Sequence, residues 1–418
     1  MTSKRPAWHL TLAFVFGLAA STAALAEDKP LTIGCGMALT GGLAGGGKSA
    51  LLAMQIWTDE INAKGGLLGR QVKLTCFDDQ SKPDVVPALY EKLISVDKVD
   101  FIVSGYGTNQ IAPAMPVAMQ HDMLFFGLFG LAVNSEFHYG KYFSMLPSGP
   151  DPKHSFSQPF FELAMVANPK PKKLALLAED SEFPKNASEG IRDFVKQYGL
   201  DLVYDKTYPP GTPDFTPIVH AIQATNPEMV FVASYPPGSV GMLRAATESG
   251  LKTRFFGGGM VGLQFTPVKL QFGPKLNGII DYDWWIPSQT MQFSGILDFL
   301  QKYQAKAGEA GVDPLGWYLP PFAYAYLQIL GDAITATKST DQKVVADYMH
   351  KTTFKTIVGD IAFGEDGEWT KARTIEVQWQ GIKGNTLDDF KDTKTEVILS
   401  PSEYKTGTLV EPYDGSSH

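Results

Sequence analysis

From residue 31 onward the chain alternates short apolar runs with stretches of helical periodicity, and this alternation limits its fold more than any other feature. The run LTIGCGMAL reads as a strand, and the helix after it carries Ala50, Met54, Trp57 and Ile61 on one stripe, at spacings of three and four. Gly65 and Gly66 mark that helix's end. VKLTCFDD, a helix over 85–96, DFIVSG, a helix around Met115 and Met119, and MLFFGLFG continue the series. A second series begins near Lys172: LALLAED, a helix over 187–198, LDLVYDKTY, the helix FTPIVHAIQATN, EMVFVASY, a helix over 240–249, and TRFFGGG. Strand–helix alternation implies parallel sheets with helices on both faces, and two series imply two α/β lobes. In such sheets ligands bind beyond the carboxyl ends of the strands, and with two lobes the natural site is the cleft between them.

The first 26 residues differ in kind. Lys4 and Arg5 precede an apolar run over 10–20, and Ala24-Leu25-Ala26 offers small residues where a signal peptidase reads them. The run is shorter than the ~20 residues that span a bilayer, so the expectation is a signal peptide over 1–26, cleaved after Ala26, and a protein exported to the periplasm. With 44 acids against 36 bases the net charge is −8, and no basic stripe suggests a nucleic-acid partner. Cys35 and Cys76 are too few for a disulfide framework; in an oxidising compartment they fit either one bridge or two buried thiols.

Residues 42–49 read GLAGGGKS and match the phosphate-loop pattern G-x-x-x-x-G-K-[ST], with Gly42, Gly47, Lys48 and Ser49 at its fixed positions. In such loops backbone N–H groups cradle phosphates, the lysine neutralises charge and the hydroxyl ligates magnesium. Against a nucleotide site stand the expected export and the strand MVFVASY, which ends without an acid. The alternative is a glycine turn entering a ligand cleft. The histidines fall in no metal-binding spacing, no G-x-S-x-G elbow is present, and Asp78-Asp79 reads as a loop feature that binds backbone. The expectation is neither an enzyme nor a cofactor protein.

The segment EINAKGGLLGRQVKLTCFDDQSKPD resembles the signature of the leucine/isoleucine/valine-binding proteins, type I periplasmic receptors of ABC importers. LTGGLAGGG, SGYGTNQIAP, DFTPIVHAIQ, LRAATESGLKTRFFG and VGDIAFGEDGEW follow the same family pattern in order, so the resemblance covers nearly all of the chain after residue 26. It implies two Rossmann-like lobes joined by a three-crossover hinge, with crossings near Pro147, Trp285 and Asp360. One lobe is then 27–147 with 286–359, the other 148–285 with 360–418. It also implies a monomer that closes on a small-molecule ligand and docks transiently on a membrane permease. A periplasmic sensor of the same fold is the alternative, and an enzyme using Gly42–Ser49 the remote one.

Carried over residue by residue, the hydroxyl that helps hold a ligand carboxylate falls on Thr108, with Asn109 beside it; a plain helix cap is the other reading of this turn. The completing backbone falls near Phe129 and Leu131, a rim aromatic near Phe183, and a second aromatic on Tyr235, which could equally be sheet-end packing. Two positions depart from the amino-acid receptors. The acid that pairs with a ligand ammonium is replaced by Gly259, with Met260 beside it, and an aromatic that packs on the ligand is replaced by Gly46, which should widen the pocket. Both departures point to a larger or uncharged-nitrogen ligand, such as an aromatic or aliphatic carboxylate or a small amide. Asp180, Glu182 and Asp283 are the acids that could replace it from another loop, and Trp284 and Trp285 serve either as a stacking surface or as hinge packing.

Overall fold

The computed structural model describes residues 1–2 and 29–413, so the expected signal peptide lies almost entirely outside the described residues. The first apolar series builds a five-stranded sheet from β1 (Leu31–Met37), β2 (Val72–Asp78), β3 (Phe101–Tyr106), β4 (Phe125–Leu128) and β5 (Tyr142–Ser144). Its order is β2-β1-β3-β4-β5 and every neighbouring pair is parallel. The second series supplies β6 (Lys173–Glu179), β7 (Asp201–Tyr208), β8 (Met229–Ser234), β9 (Phe255–Met260) and β10 (Ile280–Asp283). Beyond a two-stranded hairpin of β11 (Phe354–Thr356) and β12 (Gly359–Ile361), the chain returns to this sheet as β13 (Ile375–Trp379) and β14 (Glu396–Ser400). The seven-stranded order is β14-β13-β10-β9-β8-β6-β7, parallel except for the antiparallel β10–β13 and β13–β14 pairs. The fold is thus two α/β lobes with mostly parallel sheets.

The helix Ala44–Ala63 buries Ala50, Met54 and Trp57, as its spacing requires, against the first sheet and the helix Pro320–Thr337. Its end explains the glycines of GGLLGR. Gly65, Gly66, Leu68 and Gly69 all have positive φ, and Leu67 and Arg70 exchange both backbone hydrogen bonds at 2.9 Å. A Cβ on Gly66 would lie 1.9 Å from the Arg70 carbonyl oxygen, so the turn admits no side chain there. The helix expected over 85–96 is instead a 3₁₀ turn, an α segment Val86–Glu91 and a π turn Lys92–Val96. The helix expected over 240–249 starts earlier, at Pro236, because two prolines in its first turn are pre-set for helix entry.

Cys35 and Cys76 lie opposite each other on β1 and β2 and form a disulfide, with Cα atoms 4.5 Å apart. Asp78 accepts backbone N–H bonds from Leu39, Thr40 and Gln80 at 2.8–3.1 Å, and Asp79 accepts from Ser81 at 2.8 Å, so the acid pair ties loops together as expected. The phosphate-loop reading fails on local structure. Gly45, Gly46 and Gly47 lie inside the helix, and Ser49 is buried with its hydroxyl donating to the Gly45 carbonyl at 2.7 Å. A Cβ on Gly47 would fall 2.0 Å from the Ala38 carbonyl oxygen, so this glycine serves helix–strand contact.

Candidate functional site

The carboxyl ends of both sheets face a narrow cavity and, across Tyr235, an adjoining hollow of about 340 Å³ that holds Asn109, Glu179 and Asp180. From the first sheet, β3 ends in Tyr106 and turns through Gly107 into Thr108, β4 leads to Phe129 and Leu131, and β5 leads to Leu146. From the second, β6 is followed by Phe183, β8 by Tyr235, β9 by Val261, and β10 contributes Tyr282 and then Trp284. Phe156, from the helix Pro152–Met165, and Tyr318 complete the wall. Eight of these side chains are aromatic and none is charged. The space open to the centre of a water molecule is about 20 Å³, so a ring-sized ligand enters only as the walls move apart.

The turn after β3 explains the choice of residues around it. Gly107 has φ +95°, and a Cβ there would come within 3.2 Å of the Tyr235 hydroxyl, so a glycine lets the two lobes meet. Thr108 is not a helix cap; its Oγ1 accepts from the Leu131 N–H at 3.0 Å, and its hydroxyl lies against the Tyr235 hydroxyl. Phe129 holds a left-handed φ of +61°, a strained conformation for a bulky residue. Its ring packs against Tyr318 and Phe322 with centroids 5.1 and 5.0 Å away.

At one end of the cavity three hydrogen bonds cross from lobe to lobe. The Asn109 N–H donates to the Tyr235 hydroxyl at 3.3 Å, the Phe183 N–H donates to Asn109 Oδ1 at 3.2 Å, and Asn186 Nδ2 donates to the Leu131 carbonyl at 2.9 Å. Burial pushes the Tyr235 phenol well above its ordinary range, so it keeps its proton and can donate while it accepts from Asn109. At the other end the Tyr282 and Tyr318 hydroxyls are bonded at 2.8 Å. Tyr106 Oη and Trp284 Nε1 sit close to Tyr318, but neither makes a hydrogen bond of ordinary geometry. Among the described residues no group of three His, Cys, Asp or Glu side chains is set to hold a metal ion.

With this geometry in view, the sequence can be compared with known proteins. The sequence profile described as periplasmic binding protein matches residues 30–381. The chain belongs to the periplasmic binding protein family. A Leu/Ile/Val-binding protein homologue of Brucella abortus is 24% identical over 388 residues, covering 90% of this chain and 95% of that one. Among solved structures, a branched-chain amino acid transporter substrate-binding protein of Streptococcus pneumoniae in complex with isoleucine superposes with TM-score 0.71 at 18% identity, covering 92% of this chain and all of the other. A solute-binding protein of R. palustris in complex with benzoate superposes with TM-score 0.74 at 14% identity, covering 91% and 98%. This periplasmic binding protein therefore has the type I fold of those solute-binding proteins.

Of the positions singled out in the sequence, this periplasmic binding protein brings Thr108, Phe129, Leu131, Phe183 and Tyr235 into one cavity wall, with Asn109 at its edge. Three others stand behind the wall. A Cβ on Gly46 would meet Leu319 at 2.7 Å, Tyr106 at 2.9 Å and Phe265 at 3.0 Å. The expected widening is absent, because those side chains fill the volume of the missing ring. A Cβ on Gly259 would face Phe231 and the Val232 carbonyl at 3.0 Å, away from the cleft, and Met260 is core; the strand end reaches the cavity at Val261. Glu182 and Asp283 are not in the wall, while Asp180 lines the adjoining hollow with Glu179, next to Tyr235. Trp284 lines it, whereas Trp285 is packing, its Nε1 donating to the Met291 carbonyl at 2.8 Å. Tyr282, Tyr318 and Phe156 had no signal of their own in the sequence.

Proposed function

We propose that this chain is the extracytoplasmic solute-binding subunit of an ABC importer, exported after cleavage following Ala26, and that its cleft closes on a small carboxylate lacking an ammonium group, with an aromatic acid preferred. The observation that carries this reading is a wall of eight rings without one charged side chain. An ammonium closed among those rings touches no carboxylate, Glu179 and Glu182 acting on Tyr235 only from outside the wall, and an uncompensated buried charge costs about 3–5 kcal/mol, two to four powers of ten in affinity. A carboxylate is better served. The Thr108 and Tyr235 hydroxyls, which lie against each other, can turn a proton to it. Rings stack on rings, so an aromatic body fits the rest of the wall. The R. palustris neighbour in complex with benzoate supports a ligand of this kind.

The two lobes, 27–147 with 286–359 and 148–285 with 360–418, act as the jaws, the protein works as a monomer, and the closed form is what a membrane permease engages. Thermal shift of the full chain after refolding from denaturant, to strip any carried ligand, tests the reading. Benzoate at 1,000 times its dissociation constant adds about 4 kcal/mol to native stability. A shift with benzoate and none with leucine supports it. A shift with leucine alone keeps the receptor and removes the aromatic-acid ligand.

A further inference from the structure

A second hollow lies behind the hinge, away from the cleft, and offers about 800 Å³ to the centre of a water molecule, a volume usual for small-molecule sites. The hairpin β11–β12 supplies Lys355, Gly359 and Asp360, the segment before β13 supplies Trp369, Lys371 and Arg373, and the segment after β14 supplies Glu403 and Tyr404. Arg373 sits where two inter-lobe crossings touch, its N–H donating to the Pro147 carbonyl at 2.7 Å.

The Arg373 side chain is out of place without a ligand. It is only 9% exposed, and Nε and Nη2 have no hydrogen-bond partner. A guanidinium keeps its charge in proteins, so burial without partners is costly. Its faces are covered, with the Phe293 and Trp369 ring centroids 4.8 and 5.0 Å from Cζ. Gly359, at φ +91°, leaves room for Nη1, which a Cβ there would approach to 2.9 Å. The in-plane edge of Nε and Nη2, the part of arginine that matches two oxygens of an anion, is itself covered, so an anion in the hollow reaches it as the segments around it shift. The acids nearby do not meet that need. Asp360 is taken by Lys355, and Glu403, though near enough to act on Arg373, makes no ion pair with it. Lys371, exposed at the rim, has no ion-pair partner either.

We propose that the hollow behind the hinge binds a small oxyanion, carboxylate or phosphate in type, through the guanidinium edge of Arg373 with Lys371 at its mouth. Calorimetric titration of the full chain with inorganic phosphate, and separately with acetate, tests it at constant ionic strength set with chloride. The expected result is saturable binding of at least one anion, weakened tenfold or more by Arg373→Gln and severalfold by Lys371→Gln. Which anion binds more tightly distinguishes the phosphate from the carboxylate source. Should Arg373→Gln fail to fold, Lys371→Glu, on the exposed rim, still tests the site, and the Arg373 Nε–H resonance of the unaltered protein should shift on anion addition. No saturable binding of either anion, binding indifferent to both Lys371 variants, or an Arg373 resonance that never moves would overturn the proposal.

Discussion

The backbone N–H of Asn109, on the first lobe, donates to the phenol oxygen of Tyr235, on the second, at 3.3 Å. One hydroxyl therefore joins the two lobes and, in the proposed site, has a proton left to offer a ligand. Together with the Phe183–Asn109 and Asn186–Leu131 bonds it gives closure a polar seam next to an apolar chamber. Such bonds form only when the lobes meet, so they add to ligand affinity without touching the ligand.

Tyr235→Phe keeps the ring and removes the hydroxyl. The buried Asn109 N–H then loses its acceptor and the ligand loses a donor. At a net 1–1.5 kcal/mol for a hydrogen bond, benzoate binding should weaken by about five- to tenfold, with thermal stability of the unliganded chain little altered. Calorimetry showing unchanged affinity would remove Tyr235 from both roles.

Thr108→Ala should cost more with carboxylates than with amides. Its hydroxyl accepts from Leu131 N–H at 3.0 Å and has its own proton to give, and a bond to a charged acceptor is worth about 1.5–3 kcal/mol. A ten- to hundredfold loss for benzoate beside a smaller loss for benzamide is expected. Equal losses for the two would mean that Thr108 shapes the turn and does not read the charge.

The parallel sheets were legible because apolar runs and helical stripes are local patterns, whereas Thr108, Phe129, Leu131 and Tyr235 were legible only through the family resemblance of the segments that hold them. Tyr318 and Phe156 reach the cleft by tertiary packing, and nothing local separates them from core aromatics. Gly46 misled for the same reason in reverse. A missing side chain leaves space only if no neighbour moves in, and Tyr106, Phe265 and Leu319 do. The glycine-rich match at 42–49 fixed residue types but not the backbone, which is already helical from Ala44.

Stability should fall as pH rises through neutrality. Burial pushes the Glu368 carboxyl up to about 8, and neither of its oxygens has a hydrogen bond of ordinary geometry. Its folded form thus holds a proton that the unfolded chain releases near its ordinary value of 4.5, so between those limits the native state binds more protons and each added pH unit lowers stability. Burial also raises the Asp281 and Glu376 carboxyls, which act in the same direction. Urea unfolding from pH 5 to 9 should show a declining midpoint. Glu368→Gln should flatten that decline and exceed the parent protein at pH 9; parallel curves would assign the slope to other groups.

Ligand preference should be convertible at Val261 rather than at Gly259. A side chain on Gly259 would press on Phe231 and the Val232 carbonyl at 3.0 Å, so Gly259→Glu buries an acid in the sheet and should destabilise the fold by several kcal/mol. Val261, two residues on, follows the same strand and lines the cavity itself. Val261→Asp places a carboxylate in the chamber, where it can pair with an ammonium but repels a second carboxylate close by. The expected outcome is a gain of leucine binding and a loss of benzoate binding, each by about tenfold or more, read by calorimetry on folded protein. If benzoate is lost and no amino acid gains, the charge of this wall is not what selects the ligand, and the geometry of the rings must be doing so.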